Sequence, residues 1–148
     1  MPKGMCYGQT DVPLAPNFAI EAQEVKKNIQ HFRSDLCFSS PLSRCTRLAD
    51  YCLPNKNFMT DPRLMEMHFG DWEGQMWDKL KGTYVNQWMK NHIELCCPNG
   101  ESMLQFAERV KDFVNALGPG KRYLLFTHGG VIRVLYHIFL FNTLAKSF

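Results

Sequence analysis

Two short apolar runs in this chain, Leu36-Cys37-Phe38 and Tyr123-Leu124-Leu125-Phe126, stop at polar or glycine residues and pass at once into helix signals. Runs of three or four apolar residues read as buried strands, since core helices need longer periodic segments. Strands that alternate with helices pack as layers around a largely parallel sheet, because each helix carries the chain back to start the next strand in the same direction. An α/β layer fold is therefore expected.

The helices have readable ends. Asn17 is a good N-cap, and the segment 18–32 carries apolar positions at Ala22, Val25, Ile29 and Phe32 with charge between them. Ser39-Ser40-Pro41 opens a second helix with Pro41 expected in its first turn, Cys45, Leu48, Ala49 and Cys52 on one face, and Pro54 and Asn55 at its end. The stretch 64–69 reads as extended, and a Trp-rich helix is expected over 77–90. Pro98-Asn99-Gly100 is a turn, and Ser102 with Gln105 has capping-box spacing. The stripe Met103, Phe106, Ala107, Val110, Phe113, Val114 and Leu117 then runs to the stop at Gly118-Pro119-Gly120, and a last helix starts near Val131.

A length of 148 residues suits one domain, 1–148. Lys plus Arg is 17 against 14 for Asp plus Glu, a net +3 with no basic run, which excludes a nucleic-acid surface. The six cysteines form no C-x-x-C pair and match no common zinc template. The first residues, Met1-Pro2-Lys3-Gly4, hold no apolar leader segment, and the longest apolar stretch, 134–141, is interrupted by His137 and too short for a bilayer. The expectation is a cytoplasmic protein with reduced thiols and no membrane partner.

Chemistry falls at the two strand-to-helix joints, where ligands of α/β folds bind. Arg44 lies in the first turn of its helix, where the positive end of the dipole disfavours a cation. The position becomes favourable when an anion sits there, held by helix amides and guanidinium together. His128 ends the other strand, and Gly129 and Gly130 let backbone approach a ligand at the start of the next helix. Its imidazole could serve as base, nucleophile or donor to phosphate oxygens. Glu66 shares one face with Leu64 and His68 if that stretch is extended, and its apolar neighbourhood suits a general acid as well as a plain strand residue. Asp71 and Glu73 read as turn residues, and the loop Met5 to Leu14 is uninformative by itself. His92, Cys96 and Cys97 are the one weak metal candidate.

Taken together and in order, C-Y-G-Q-T-D-V-P-L, S-S-P-L-S-R-C, L-M-E-M-H-F-G-D-W-E-G, N-G-E-S and T-H-G-G-V-I-R resemble the motifs of the histidine phosphatase superfamily, over nearly the whole chain. Within it, the first loop and F-G-D-W-E-G look most like the α-ribazole phosphatases of cobalamin nucleotide-loop assembly. The resemblance implies a phosphoglycerate-mutase-like three-layer αβα sandwich and hydrolysis of the 5'-phosphate of α-ribazole phosphate through a phosphohistidine. It implies Arg44 as a phosphate-binding arginine, His128 as the second histidine and Glu66 as proton donor. Tyr7, Gly8, Gln9 and Thr10 would line the pocket mouth, with Gly129 also at the substrate. A small phosphorylated substrate, no metal or other cofactor, and a homodimer as one assembly are the further implications. A broad-specificity phosphatase, a mutase-like enzyme and a phosphate-binding pseudoenzyme are the alternatives.

One motif of the resemblance is not found. The family's nucleophile lies in L-x-R-H-G at the end of a strand before the C-Y-G-Q loop, and this sequence has no such motif. The expectation is a chain truncated before that strand, lacking a further strand after about Phe141, and inactive alone. The first missing strand is expected to leave two neighbouring strands facing each other across a gap.

Overall fold

The computed structural model describes residues 2–141. Its helices are α1 (Phe18–Ile29), α2 (Ser43–Cys52), α3 (Thr83–Asn91), α4 (Met103–Asn115) and α5 (Gly129–Phe141). Its strands are β1 (Leu36–Ser39), β2 (Met59–Thr60) and β3 (Tyr123–Phe126). They form one parallel sheet in the order β2-β1-β3, with Leu36 opposite Tyr123 and Ser39 opposite Phe126.

Alternation along the strands builds two cores. Leu124 and Phe126 face Cys45, Ala49 and Cys52 of α2 and Val25 and Ile29 of α1. Phe38 and Leu125 face the other way, onto Phe106, Val110 and Phe113 of α4 and Val131 and Val134 of α5. The result is the expected α/β layering, with α1 and α2 on one face of a small parallel sheet and α4 and α5 on the other. Phe106 and Phe113 are 1% exposed, so each contributes roughly 1.5–3 kcal/mol through burial.

Several expectations are corrected. β1 and β3 are directly hydrogen-bonded neighbours, so no gap separates the strands that carry the chemistry. The stretch 64–69 is no strand: a 3₁₀ turn covers Pro62–Leu64 and irregular backbone follows. The third strand is instead Met59–Thr60, two residues whose pairing to β1 is set by tertiary contact. The Trp-rich segment divides into a 3₁₀ turn, Trp77–Lys79, and α3, because Gly82 sits at φ 122°, where other residues are strained. Trp72 and Trp88 still meet edge to face at 5.0 Å. α2 starts at Ser43, two residues beyond Pro41. Its cap comes from far away: Asp11 Oδ1 accepts from the Ser43 backbone N–H (2.9 Å) and hydroxyl (2.7 Å). Asn17 precedes α1 but makes no side-chain cap, and its amide donates to Glu21 at 2.7 Å. The capping box of α4 forms as read, with Ser102 and Gln105 bonding reciprocally. The strand expected after Phe141 falls on residues outside those described.

Candidate active site

β1 and β3 end side by side, so the residues that follow them emerge at one edge of the sheet. Ser40 continues from β1, its N–H bonded to the Phe126 carbonyl at 2.9 Å. Arg44 follows on the first turn of α2, and His128 lies between β3 and α5. Parallel pairing in this register brings two positions 84 residues apart into contact: Arg44 Nε donates to His128 Nδ1 at 3.2 Å.

That bond fixes the imidazole. A nitrogen that accepts from a guanidinium carries no proton, so Nδ1 is bare and the proton resides on Nε2. Nε2 stands 2.8 Å from Ser40 Oγ and donates to it, while Cys45 Sγ packs 3.5 Å away. Burial first, and then the positive charges of Arg44 and Arg109, lower the His128 pKa to about 4. His128 is only 7% exposed, so its ring is neutral at neutral pH and held in one tautomer.

Arg44 is also the tie to the loop that sequence alone left unread. Its Nη1 donates to the Thr10 carbonyl at 3.0 Å and its Nη2 to the Gly8 carbonyl at 2.5 Å, and its guanidinium lies 5.7 Å from the centre of the Tyr7 ring. A Cβ on Gly8 would fall 1.8 Å from the Met67 carbonyl oxygen, so only glycine lets the loop pass. Gln9 reaches the opposite wall, its Nε2 donating to the Glu66 carbonyl at 3.1 Å. Glu73, read from sequence as a turn residue, clamps this loop. Its carboxylate accepts from the backbone of Gln9 (2.9 Å), Thr10 (2.6 Å) and Phe69 (3.1 Å) and from the Thr10 hydroxyl. Burial alone would raise its pKa, but these hydrogen bonds outweigh burial and lower it.

Glu66 closes the ring of polar groups. Its Oε2 accepts the Gly130 N–H at 3.0 Å and its Oε1 the Met67 N–H at 3.0 Å. The carboxyl thus rests on the N-terminus of α5, one residue past Gly129 and two past His128. A Cβ on Gly130 would sit 2.1 Å from Glu66 Oε1, so a side chain there would push that carboxyl off the helix end; Gly129 has nothing within 4 Å of that position. Arg109 of α4 fixes the backbone under Glu66. Its Nη1 donates to the carbonyls of Arg63 (2.8 Å) and Met65 (3.1 Å), and its Nη2 to that of Glu66 (3.2 Å). Glu101 pairs with Arg109 at 2.8 Å and accepts the His68 N–H at 3.2 Å.

Arg44, Glu66, His128, Gly129 and the loop Tyr7 to Thr10 are therefore brought together. Leu64, Glu66 and His68 do not share a strand face. Ser40, Cys45, Glu73, Glu101 and Arg109 are the participants that sequence reasoning missed as such; Ser40 and Cys45 flank Arg44 in a motif already singled out, and only the fold turns them onto His128. Among the described residues, no three His, Cys, Asp or Glu side chains converge as a metal site, and no helix is long and apolar enough to cross a membrane.

Chemically, the site offers one delocalised cation, one neutral imidazole, the amides of a helix N-terminus and one carboxyl. Such a set holds an anion with tetrahedral oxygens and places a proton carrier beside it.

The chain is similar to known phosphatases and mutases. A phosphatase of Hydrogenobacter thermophilus, provisionally named for phosphoserine, is 29% identical over 90% of this chain and 69% of its own length. The phosphoglycerate mutase structure from Thermus thermophilus is 34% identical, covers 89% of this chain and 72% of its own, and superposes with a TM-score of 0.73. The α-ribazole phosphatase from Shigella flexneri is 26% identical over 90% of this chain and 70% of its own, with a TM-score of 0.82. The chain spans roughly two thirds of the length of the curated relatives it matches, 66% to 69% for three of them. The sequence profile of the histidine phosphatase superfamily, branch 1, matches residues 2–147. With that match over nearly its whole length, the chain belongs to the histidine phosphatase superfamily, whose members similar to it include phosphatases and mutase-like proteins.

Proposed function

We propose that this site works in a phosphomonoesterase, and that its substrate is α-ribazole 5'-phosphate or a closely similar neutral riboside phosphate. The observation that carries the first part is the contact of Arg44 with His128 beside the N-terminus of α5, with the Glu66 carboxyl on the same helix end. The second part draws support from the close superposition on the Shigella flexneri α-ribazole phosphatase.

Each residue has a role in this reading. Arg44 and the amides at the start of α5 neutralise the phosphoryl oxygens, and His128 donates through Nε2–H once an oxygen replaces Ser40 as its acceptor. A histidine nitrogen attacks phosphorus and forms an N–P bond as the ester P–O bond breaks. Glu66 delivers its proton to the departing alkoxide. Water then attacks the phosphohistidine, gives its proton to Glu66, and releases phosphate and the free histidine. Tyr7 to Thr10 and Gly129 border the substrate.

Among the described residues, no bond of Arg44, Glu66 or His128 involves a second histidine that could attack. The reading therefore expects residues 1–148 alone to bind phosphate esters without turning them over. Incubation with p-nitrophenyl phosphate tests it. No sustained release of p-nitrophenol is expected. Release at an ordinary enzymatic rate, on the order of 1–1,000 per second, would refute that part of the proposal.

A further inference from the structure

Glu73 and Arg44 form no ion pair, yet a single peptide plane joins them. The peptide between Gly8 and Gln9 gives its N–H to Glu73 Oε1 at 2.9 Å and its carbonyl to Arg44 Nη2. In a trans peptide these two groups point in opposite directions, so the plane is a rigid spacer between an acid and a cation. Thr10 repeats the arrangement. Its N–H and hydroxyl go to Glu73 Oε2, and its carbonyl accepts from Arg44 Nη1 at 3.0 Å. Glu73 is itself held on its own turn, where Oε1 also accepts the Phe69 N–H at 3.1 Å.

The consequence falls on the guanidinium. It carries five N–H groups. The Nε group goes to His128 Nδ1 at 3.2 Å, and one group on each of Nη1 and Nη2 goes to the loop carbonyls. One N–H on each Nη is left, a fixed pair of the kind that grips two oxygens of a phosphate. The same grip on Arg44 keeps its Nε–H on His128 and so keeps that ring in the tautomer with Nε2 protonated. By charge alone, a carboxylate this close to an anion site opposes binding, and its removal would strengthen it. Positioning acts in the other direction, which separates the two effects by sign.

We propose that Glu73 is a positioning residue for phosphate: through the Gly8–Gln9 and Gln9–Thr10 peptides it fixes the carbonyls that hold Arg44, and so sets both the free guanidinium N–H pair and the His128 tautomer for an anion that Glu73 never touches. This rests on the phosphatase reading for the placement of phosphate at Arg44.

The test is calorimetric titration of inorganic phosphate into residues 1–148 at pH 7.5, with the side-chain ¹⁵N signals of Arg44 and His128 followed in parallel. Wild type is compared with Glu73→Gln, with Glu73→Asp, which keeps the charge and shortens the reach by one methylene, and with Ser102→Ala. The last removes the capping box of α4 and bonds to neither Arg44 nor the loop, so it serves as the control for lost stability. The loop's start stays fastened in every variant, because Cys6 exchanges two backbone hydrogen bonds of 2.8 Å with Gly74 and Gln75. Both Glu73 variants are expected to bind phosphate about threefold to tenfold more weakly, the effect of having to order one long side chain on binding. Their His128 signals should shift from the single-tautomer pattern toward a mixture, while Ser102→Ala keeps the wild-type affinity and pattern. Equal or tighter binding by Glu73→Gln overturns the proposal and leaves the phosphate site standing. Equal weakening in Ser102→Ala, or an unchanged His128 pattern in both Glu73 variants, overturns it as well. No binding by the wild type refutes the phosphatase reading, and the proposal falls with it.

Discussion

The buried imidazole makes the stability of this protein depend on pH in a defined window. His128 has its pKa lowered from 6.5 to about 4 by burial first and by Arg44 and Arg109 second. Above pH 6.5 the ring is neutral in both the folded and the unfolded chain, so stability is full there. As pH falls below 6.5 the unfolded chain takes up a proton that the folded one refuses, and stability declines until the folded ring protonates near pH 4. The slope approaches about 1.4 kcal/mol per pH unit, so between pH 7.5 and 5 the loss is about 2 kcal/mol. The upper part of this window is free of the carboxylates whose pKa values are lowered, Asp35, Asp61 and Glu73, because unfolded carboxylates titrate only below about pH 5. Urea denaturation of the wild type and of His128→Asn at half-unit steps from pH 7.5 to 5 measures it. The wild type should lose about 2 kcal/mol and the variant much less, whatever their absolute stabilities. Equal slopes would refute the argument that burial and Arg44 hold the ring neutral.

Other outcomes follow from the same geometry. Gly130→Ala would place a Cβ 2.1 Å from Glu66 Oε1, push that carboxyl off the Gly130 N–H and destabilise by about 1 kcal/mol, whereas Gly129→Ala meets nothing and should be neutral or stabilise by a few tenths, both read by thermal denaturation. Asp11→Ala removes the cap of α2 and should lower stability by about 1 kcal/mol. Arg109→Ala frees the carbonyls beneath Glu66 and should destabilise by roughly 2 kcal/mol or more, with faster amide exchange over 63–68.

Locally determined features were legible in the sequence. The capping box of Ser102 and Gln105 and the stripe of α4 are decided within a few residues, and the central strands end within one residue of the apolar runs, β3 at Phe126 and β1 one residue past Phe38 at Ser39. Arg44 and His128 stood out because each breaks a local rule: a cation at a helix N-terminus, a titratable ring at the end of an apolar run. What stayed hidden depends on distant partners. β2 is two residues long and exists through its pairing with β1. The backbone around Glu66 is irregular because a guanidinium more than forty residues away satisfies its carbonyls in place of a strand partner. Glu73 gave no signal beyond a turn, since its three backbone partners include two on a loop more than sixty residues earlier.

On the proposed reading, Arg44 and His128 form a phosphate cradle. This is tested most directly by titrating inorganic phosphate into residues 1–148 at pH 7.5 while following the ¹⁵N shifts of His128 and Arg44. Saturable binding that moves both and is lost in a folded Arg44→Met variant is the predicted result. Unmoved resonances up to tens of millimolar phosphate, or binding that survives the substitution, would contradict the account.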